Sequence, residues 1–322
     1  MEFMKILRKT TALFVFSCVF IGTNALANTE NSVLTLLNQM RQAEDSLSYE
    51  RFFLQITPAN IESLRYRHTK VNGIAYAQLI NLDGSQQEIL QRGNLVAYFN
   101  SNFQPFTIQS NQIVESLPIG LRANFEQLSR YYDFVDGGRN RVANRIVQTV
   151  KLLPKDNFRY QYVLFIDEEH HLLLRSDLLD RDGQLLEQFR TVNVQISDEL
   201  TQLAEHFDHF RFPPLIVADS KTEDKKAKQN WQASWLPPGF KCIKSENDDY
   251  ENTVIESQLY SDGLFSFTLY ISPSELPDNY ENSWKQGVHT IYSETLNGRE
   301  ITLIGQLPLT TAKRIVQDIK FN

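Results

Sequence analysis

The sequence predicts an α+β protein, mainly antiparallel β, built as two units. Three observations carry that expectation. Apolar and polar residues alternate with period two over much of 48–196 and again in the second unit, as at Phe265, Phe267, Leu269 and Ile271, which places one strand face on a core and the other toward water. Turn pairs such as Asn72-Gly73, Asp83-Gly84, Asp182-Gly183 and Asn297-Gly298 separate the runs, and such pairs supply the positive φ angles of tight hairpins. Phe212-Pro213-Pro214 then stops regular structure ahead of a polar stretch, 220–230, that carries Lys221, Lys225, Lys226 and Lys228. The expected division is 28–212 for a large unit, 213–231 for a linker and 232–322 for a small unit.

Residues 1–27 stand apart. Lys5, Arg8 and Lys9 precede a short apolar run, 12–21, and Ala25-Leu26-Ala27 offers small residues at the two positions read by a signal peptidase. The expectation is an exported chain cleaved near Ala27, with an uncleaved anchor as the alternative. A lipid on Cys18 is disfavoured because Phe16 occupies a position that wants a small residue. No later run is long and apolar enough for a membrane helix. The formal charge is −7, and loss of Lys5, Arg8, Lys9 and Glu2 makes it −9. That balance argues against nucleic acid, whose non-specific binding needs a basic surface. With Cys18 gone, Cys242 stands alone, so the core must serve without an intramolecular disulfide. Its alternating surroundings, Phe240-Lys241-Cys242-Ile243, predict a buried thiol, with a reactive or interchain thiol as the other reading.

Along the large unit, Asn31 or Ser32 is the expected cap of a helix whose apolar face carries Val33, Leu36, Leu37, Met40 and Leu47. Phe52, Leu54 and Ile56 then mark the core face of a first strand, and Leu64, Tyr66 and His68 that of a second. A short helix follows Pro118-Ile119-Gly120, and Ser197 caps another that ends near Phe207. In the small unit, Phe265, Phe267, Leu269 and Ile271 share one strand face, and Ala312, Ile315, Val316 and Ile319 share a helix face.

Motifs for chemistry are sparse. His206 and His209 could share a helix face and hold a cation, but no His-Glu-x-x-His or Cys-x-x-Cys pattern supports a metal site, so a solvated surface is expected. No nucleophile elbow or Walker loop occurs, and Asp167-Glu168-Glu169 reads as a solvated loop tip. No catalytic residue, cofactor or metal is therefore assigned. The positive signals are aromatic residues and clustered arginines. Twenty-one Phe and 13 Tyr against 3 Trp can fill a core or line a cleft for an apolar ligand. Phe52, Leu54, Tyr66, Tyr98, Phe99, Tyr162 and Phe165 are the candidates for a lipid pocket, with ordinary core packing as the alternative for each. Arg65, Arg67, Arg139 and Arg141 are the candidates for anionic groups or a partner, since guanidinium forks match phosphate and carboxylate. Trp235, Phe240, Tyr260 and Phe265 are the candidates for a partner surface on the small unit.

Five strings in order resemble one family. They are Ile61-Glu62-Ser63-Leu64-Arg65-Tyr66-Arg67-His68, Leu178-Leu179-Asp180-Arg181-Asp182-Gly183, Trp235-Leu236-Pro237-Pro238-Gly239-Phe240, Leu259-Tyr260-Ser261-Asp262-Gly263-Leu264-Phe265-Ser266-Phe267 and Thr311-Ala312-Lys313-Arg314-Ile315. Together they look like the MucB/RseB family of periplasmic regulators of the sigma-E envelope-stress response. The resemblance implies a large domain like the lipoprotein carriers LolA and LolB, an unclosed barrel holding helices, and a small sheet domain with a C-terminal helix. It implies a non-enzymatic protein that binds the periplasmic part of the anti-sigma factor RseA and shields it from the protease DegS. Lipopolysaccharide or lipoprotein acyl chains would release it. Homo-oligomerisation stays open. A periplasmic lipid or lipoprotein carrier is the alternative, and an envelope hydrolase is a third reading without a motif behind it.

Overall fold

The computed structural model describes residues 23–114, 116–216, 230–250 and 253–321. Most of the expected signal segment and of the expected linker lies outside these residues. The first described element is helix α1 (Thr23–Ser46), so Asn31 and Ser32 lie inside the helix and do not cap it. Its buried side chains, Val33, Leu37, Met40, Ala43 and Glu44, recur at helical spacing and form one face.

Eleven strands make the large sheet: β1 (Tyr49–Ile56), β2 (Ile61–Val71), β3 (Ile74–Asn81), β4 (Gln87–Arg92), β5 (Leu95–Asn100), β6 (Phe103–Gln109), β7 (Tyr132–Val142), β8 (Arg145–Pro154), β9 (Gln161–Asp167), β10 (Leu173–Leu179) and β11 (Leu185–Ile196). Two meanders, β1 to β6 and β7 to β11, join where β1 pairs with β11, and β6 and β7 remain as separate edges. The sheet is therefore unclosed. Asn72 (φ 51°) and Gly73 (φ 80°) form the two-residue turn between β2 and β3, as the Asn-Gly pair requires. Between the two meanders lie a 3₁₀ turn, Ile119–Arg122, and helix α2 (Phe125–Leu128), capped by the Asn124 side chain accepting from the Gln127 amide.

Helix α1 covers the inner face of this sheet. Tyr49, Phe53, Leu64, Tyr66, Leu79, Ile89, Tyr98, Phe165 and Phe189 belong to one buried cluster there. The first strand is turned over relative to the expectation. Tyr49, Arg51 and Phe53 point inward, whereas Phe52 and Leu54 are half-buried on the opposite face. A shift of one residue exchanges every side chain between faces. The inward set here includes an arginine, which hides the true alternation from a hydrophobicity reading. Phe99 also departs from the expected inner position. It packs on the outer face with Tyr76, Leu90 and Ala97 beneath helix α3 (Gln202–His209). As expected, Ser197 caps the preceding turn, its hydroxyl accepting from the Glu199 amide.

The second unit has a six-stranded sheet of order β13-β14-β15-β18-β17-β16: β13 (Lys241–Tyr250), β14 (Thr253–Ser261), β15 (Ser266–Pro273), β16 (Glu281–Gln286), β17 (His289–Leu296) and β18 (Arg299–Gly305). Helix α4 (Leu309–Gln317) covers one face with Ala312, Ile315 and Val316. A two-stranded ribbon, β12 (Trp231–Ala233) with β19 (Ile319–Phe321), ties the start of the unit to its end. Ile319 thus sits on a strand and not on the helix face. Cys242 is exposed, contrary to the expectation of burial. It lies on edge strand β13 beside a bulge between Cys242 and Lys244, and from Lys241 to Lys244 that strand buries neither face.

Candidate functional site

Two constellations stand out: a charged latch beneath α1 and a buried seam between the units. In the latch, Glu44 projects from α1 onto the inner face. Its Oε2 accepts from Arg51 Nη2 at 2.5 Å and from the Tyr49 hydroxyl at 2.7 Å, and its Oε1 accepts from the Leu173 amide at 2.9 Å. Arg51 is 0% exposed, lies 4.4 Å from the Tyr49 ring centre, and donates through Nη1 to the Leu173 carbonyl at 3.1 Å. A buried guanidinium is tolerated only when paired, and Glu44 is the group that pairs it. Burial pushes the Tyr49 and Tyr66 hydroxyls well above their ordinary pKa. It also holds His68 below its ordinary value, with its Nδ1 2.9 Å from the Leu47 carbonyl oxygen.

The space left on the inner face near this latch is small. A cavity of about 110 Å³ is bordered by Glu44, Tyr49, Tyr66, His68 and Ile113, with Arg41 and Arg122 also at its wall. Pockets for drug-sized ligands run from about 300 Å³ upward. With α1 in place, the space beside the latch is too small for a ligand of that size.

The seam centres on Arg159 and Asp262, whose side chains are both 0% exposed. Arg159 comes from the β8–β9 connection, Asp262 from the β14–β15 turn. Arg159 Nη1 donates to Asp262 Oδ2 at 2.6 Å, and the Tyr132 hydroxyl donates to the same oxygen at 2.6 Å. Asp262 Oδ1 accepts from the amides of Leu264 and Phe265 at 2.8 and 2.7 Å. Arg159 also reaches Asp156 Oδ2 at 2.7 Å and the Pro238 carbonyl, and its guanidinium lies 5.3 Å from the Phe240 ring centre. These neighbours keep it charged, its pKa above the ordinary value although burial alone would lower it. Around the pair, Tyr162 stacks on Phe265 at 5.5 Å and Phe158 meets Trp235 edge-on at 4.8 Å. Arg314 of α4 lies over the other side of this group, 3.7 Å from the Trp235 ring centre. Gly239, at φ +94°, brings its backbone against Tyr131; a Cβ there would stand 2.7 Å from the ring. One continuous apolar cluster runs through the seam from α1 to α4.

The residues singled out from sequence fall in different places. Tyr66, Tyr98 and Phe165 meet on the inner face, while Tyr162 faces the seam. Arg65 and Arg67 lie on the outer face of β2, where Arg67 donates to Gln78 at 2.7 Å. Arg139 is exposed and forms a two-pronged pair with Glu168, and Arg141 donates to Asn144. Phe240, Tyr260 and Phe265 are buried within the chain, and Trp235 is partly buried. As they stand they are cement between the chain's own parts and present no open docking surface. Arg159, Asp262, Glu44 and Arg51 escaped the sequence reading, because a buried charge carries the same letter as a solvated one. Among the described residues no group of three or more His, Cys, Asp or Glu could hold a metal. No helix there is long and apolar enough to cross a membrane.

A family model described as the MucB/RseB N-terminal domain matches residues 32–215, and the MucB/RseB C-terminal domain model matches 225–320. The chain belongs to the MucB/RseB family. It is 51% identical over 317 residues to the sigma-E factor regulatory protein RseB of Haemophilus influenzae, covering 98% of this chain and 99% of that one. It is 38% identical to RseB of Escherichia coli K12, covering 95% of this chain and 96% of the relative. The fold is shared with Pseudomonas aeruginosa MucB as solved in its complex with MucA, at TM-score 0.71 and 23% identity, covering 90% of this chain and 99% of that one. This is a family of regulatory binding proteins and not of enzymes. Three of the five strings that carried the resemblance, those around Trp235, Asp262 and Arg314, meet at the seam.

Proposed function

We propose that this chain is a periplasmic regulator that grips the periplasmic part of the anti-sigma factor RseA, denies DegS its cleavage site and so keeps sigma-E silent. The observation that carries the reading is the seam. A carrier needs only the large unit; here a second unit is welded to it through a buried ion pair and a shared apolar cluster. Such a weld fixes two surfaces relative to each other, which a clamp on another polypeptide requires. The relatives named as sigma-E regulators supply the pathway.

Release by acyl chains of lipopolysaccharide or lipoproteins belongs to the same proposal. Because the space beside the latch is small, entry of a chain there requires α1 to lift. Burying alkyl chain is worth about 0.8 kcal/mol per CH₂, so several methylenes are needed to offset loss of the Glu44 latch. The ligand shifts the balance only if it prefers the lifted form. The test is affinity capture of the RseA periplasmic segment by the full chain lacking residues 1–27, with and without amphiphile. Capture that acyl-bearing amphiphiles weaken and their delipidated head groups leave intact is the expected result. Failure of the wild-type chain to capture the segment rejects the clamp. Equal weakening by head groups alone rejects chain burial in favour of charge competition.

A further inference from the structure

The two large sheets end in four edges, and among the described residues three of them are blunted. β6 carries Pro105 and is covered by the following chain, Thr107 donating to the Pro214 carbonyl at 2.9 Å and Ile216 to the Thr107 carbonyl at 2.7 Å. β7 bulges between Asp136 and Gly138. β13 bulges between Cys242 and Lys244 and bears Lys241, Lys244, Glu246 and Asp248. Bulges, prolines, charges and covering segments are the usual means of preventing a strand from being added. β16 carries Glu281 and Lys285 but has neither bulge nor proline, and no cover among the described residues. It pairs with β17 in unbroken register from Glu281↔Glu294 to Gln286↔His289, and all six of its residues are exposed. Trp284, at 61%, is the most exposed large apolar side chain among the described residues.

A groove runs beside this open edge. A cavity of about 400 Å³ lies between β16 and the β10–β11 hairpin tip, with Tyr160, Pro308 and Leu309 as apolar wall and Arg181 and Lys285 as cations. It shares Arg181 and Asp182 with a second, more polar cavity of about 510 Å³. Neither Arg181 nor Lys285 makes an ion pair among the described residues; Lys285 Nζ instead sits 5.9 Å from the Tyr160 ring centre. Asp180 and Asp182 border the same cavity, and Asp180 keeps its charge while its Oδ1 accepts from the amides of Asp182 and Gln184, at 2.9 and 2.8 Å.

We infer that this edge takes up an extended segment of the anti-sigma partner as a seventh strand, with an apolar side chain seated between Tyr160 and Leu309 and a neighbouring carboxylate at Arg181 and Lys285. The inference rests on the anti-sigma reading and names the segment type and its seat. Unpaired main-chain groups along six residues ask for another main chain, which an acyl tail cannot supply. Alternate side chains of an added strand point to opposite faces, so one set enters the cavity and the other lies against Trp284. Arg181 and Lys285, which make no ion pair among the described residues, are the groups with which a guest carboxylate can pair.

The test uses the full chain lacking residues 1–27 and the purified periplasmic segment of its anti-sigma factor. Binding is expected to slow amide hydrogen exchange at 281–286. Trp284→Ala and Arg181→Glu should each weaken Kd by about 10-fold or more. Ile243→Glu, on the blunted β13 edge, should leave Kd unchanged. Unaltered circular dichroism shows that the variants are folded, as surface substitutions should be. If the wild-type chain binds but 281–286 exchange at their free rate and both variants bind normally, the strand-addition inference is overturned and the clamp reading survives. No binding by the wild-type chain overturns both.

Discussion

Replacing Asp262 by alanine should cost this protein much of its stability, and the seam geometry sets the size of the loss. The substitution strips Arg159 and the Tyr132 hydroxyl of their common acceptor and leaves the amides of Leu264 and Phe265 without theirs. Removing one partner of a buried ion pair costs about 3–5 kcal/mol, because the other charge stays buried without compensation. Arg159 keeps Asp156 and the Pro238 carbonyl, which places the expected loss near the lower end, about 3 kcal/mol. Asp262→Asn retains an acceptor and should lose about 2 kcal/mol. The double replacement Arg159→Met with Asp262→Leu removes both charges but still leaves the Tyr132 hydroxyl and the amides of Leu264 and Phe265 without their acceptor, so it should remain destabilised, yet by less than the sum of the single losses. Urea unfolding followed by tryptophan fluorescence measures all four proteins. The single variants should also separate unfolding of the small unit from that of the large one, since the weld between them is what makes them melt together. An Asp262→Ala unfolding free energy within about 0.5 kcal/mol of wild type, with one transition, would refute the claim that the pair holds the seam.

Three further outcomes follow from other parts of the molecule. Glu44→Ala leaves Arg51 buried and unpaired, so it should destabilise by about 3–5 kcal/mol and speed proteolysis within α1, read by limited digestion. His68 is held below its ordinary pKa by burial, so in the acid range the unfolded chain binds more protons than the folded one. Stability should therefore fall as pH drops below about 6.5 and level off below the folded value, and His68→Gln should flatten that slope in urea titrations. His289, half-buried and also lowered, adds a slope of the same sign, while Glu187, raised by burial, opposes it at lower pH. Cys242 should react with a maleimide in the native protein, whereas an unreactive thiol would contradict its exposed position on β13.

Much of the architecture is written in local chemistry. Asn72-Gly73 and Asn297-Gly298 occupy hairpin turns because few other residues accept two successive positive φ angles, and a reader of sequence can use that rule directly. The helix over 202–209 follows from Ser197 and the spacing of Leu203, Ala204 and Phe207. What stayed hidden depends on partners distant in sequence. Arg51 breaks the apolar alternation of β1, yet it belongs inside because Glu44, from another element, neutralises it. Asp262 in Ser-Asp-Gly reads as a turn residue; nothing local says that an arginine 103 positions earlier will bury itself on it. Phe240 and Phe265 were legible as aromatic anchors, but which surface they anchor to, a partner's or the chain's own, is decided only when the two units meet. Cys242 looked like a core position because alternation says nothing about whether a strand will end up at an edge.

The buried guanidinium under α1 also constrains what can ever live in that space. Were the helix to swing away, Glu44 would leave with it, and the vacated chamber would contain a bare cation facing Tyr49 and Phe189. A purely hydrocarbon guest would solvate that charge worse than the helix did. If acyl ligands enter there as proposed, those that carry a phosphate or carboxylate at the depth of Arg51 should release the partner better than neutral lipids of the same length.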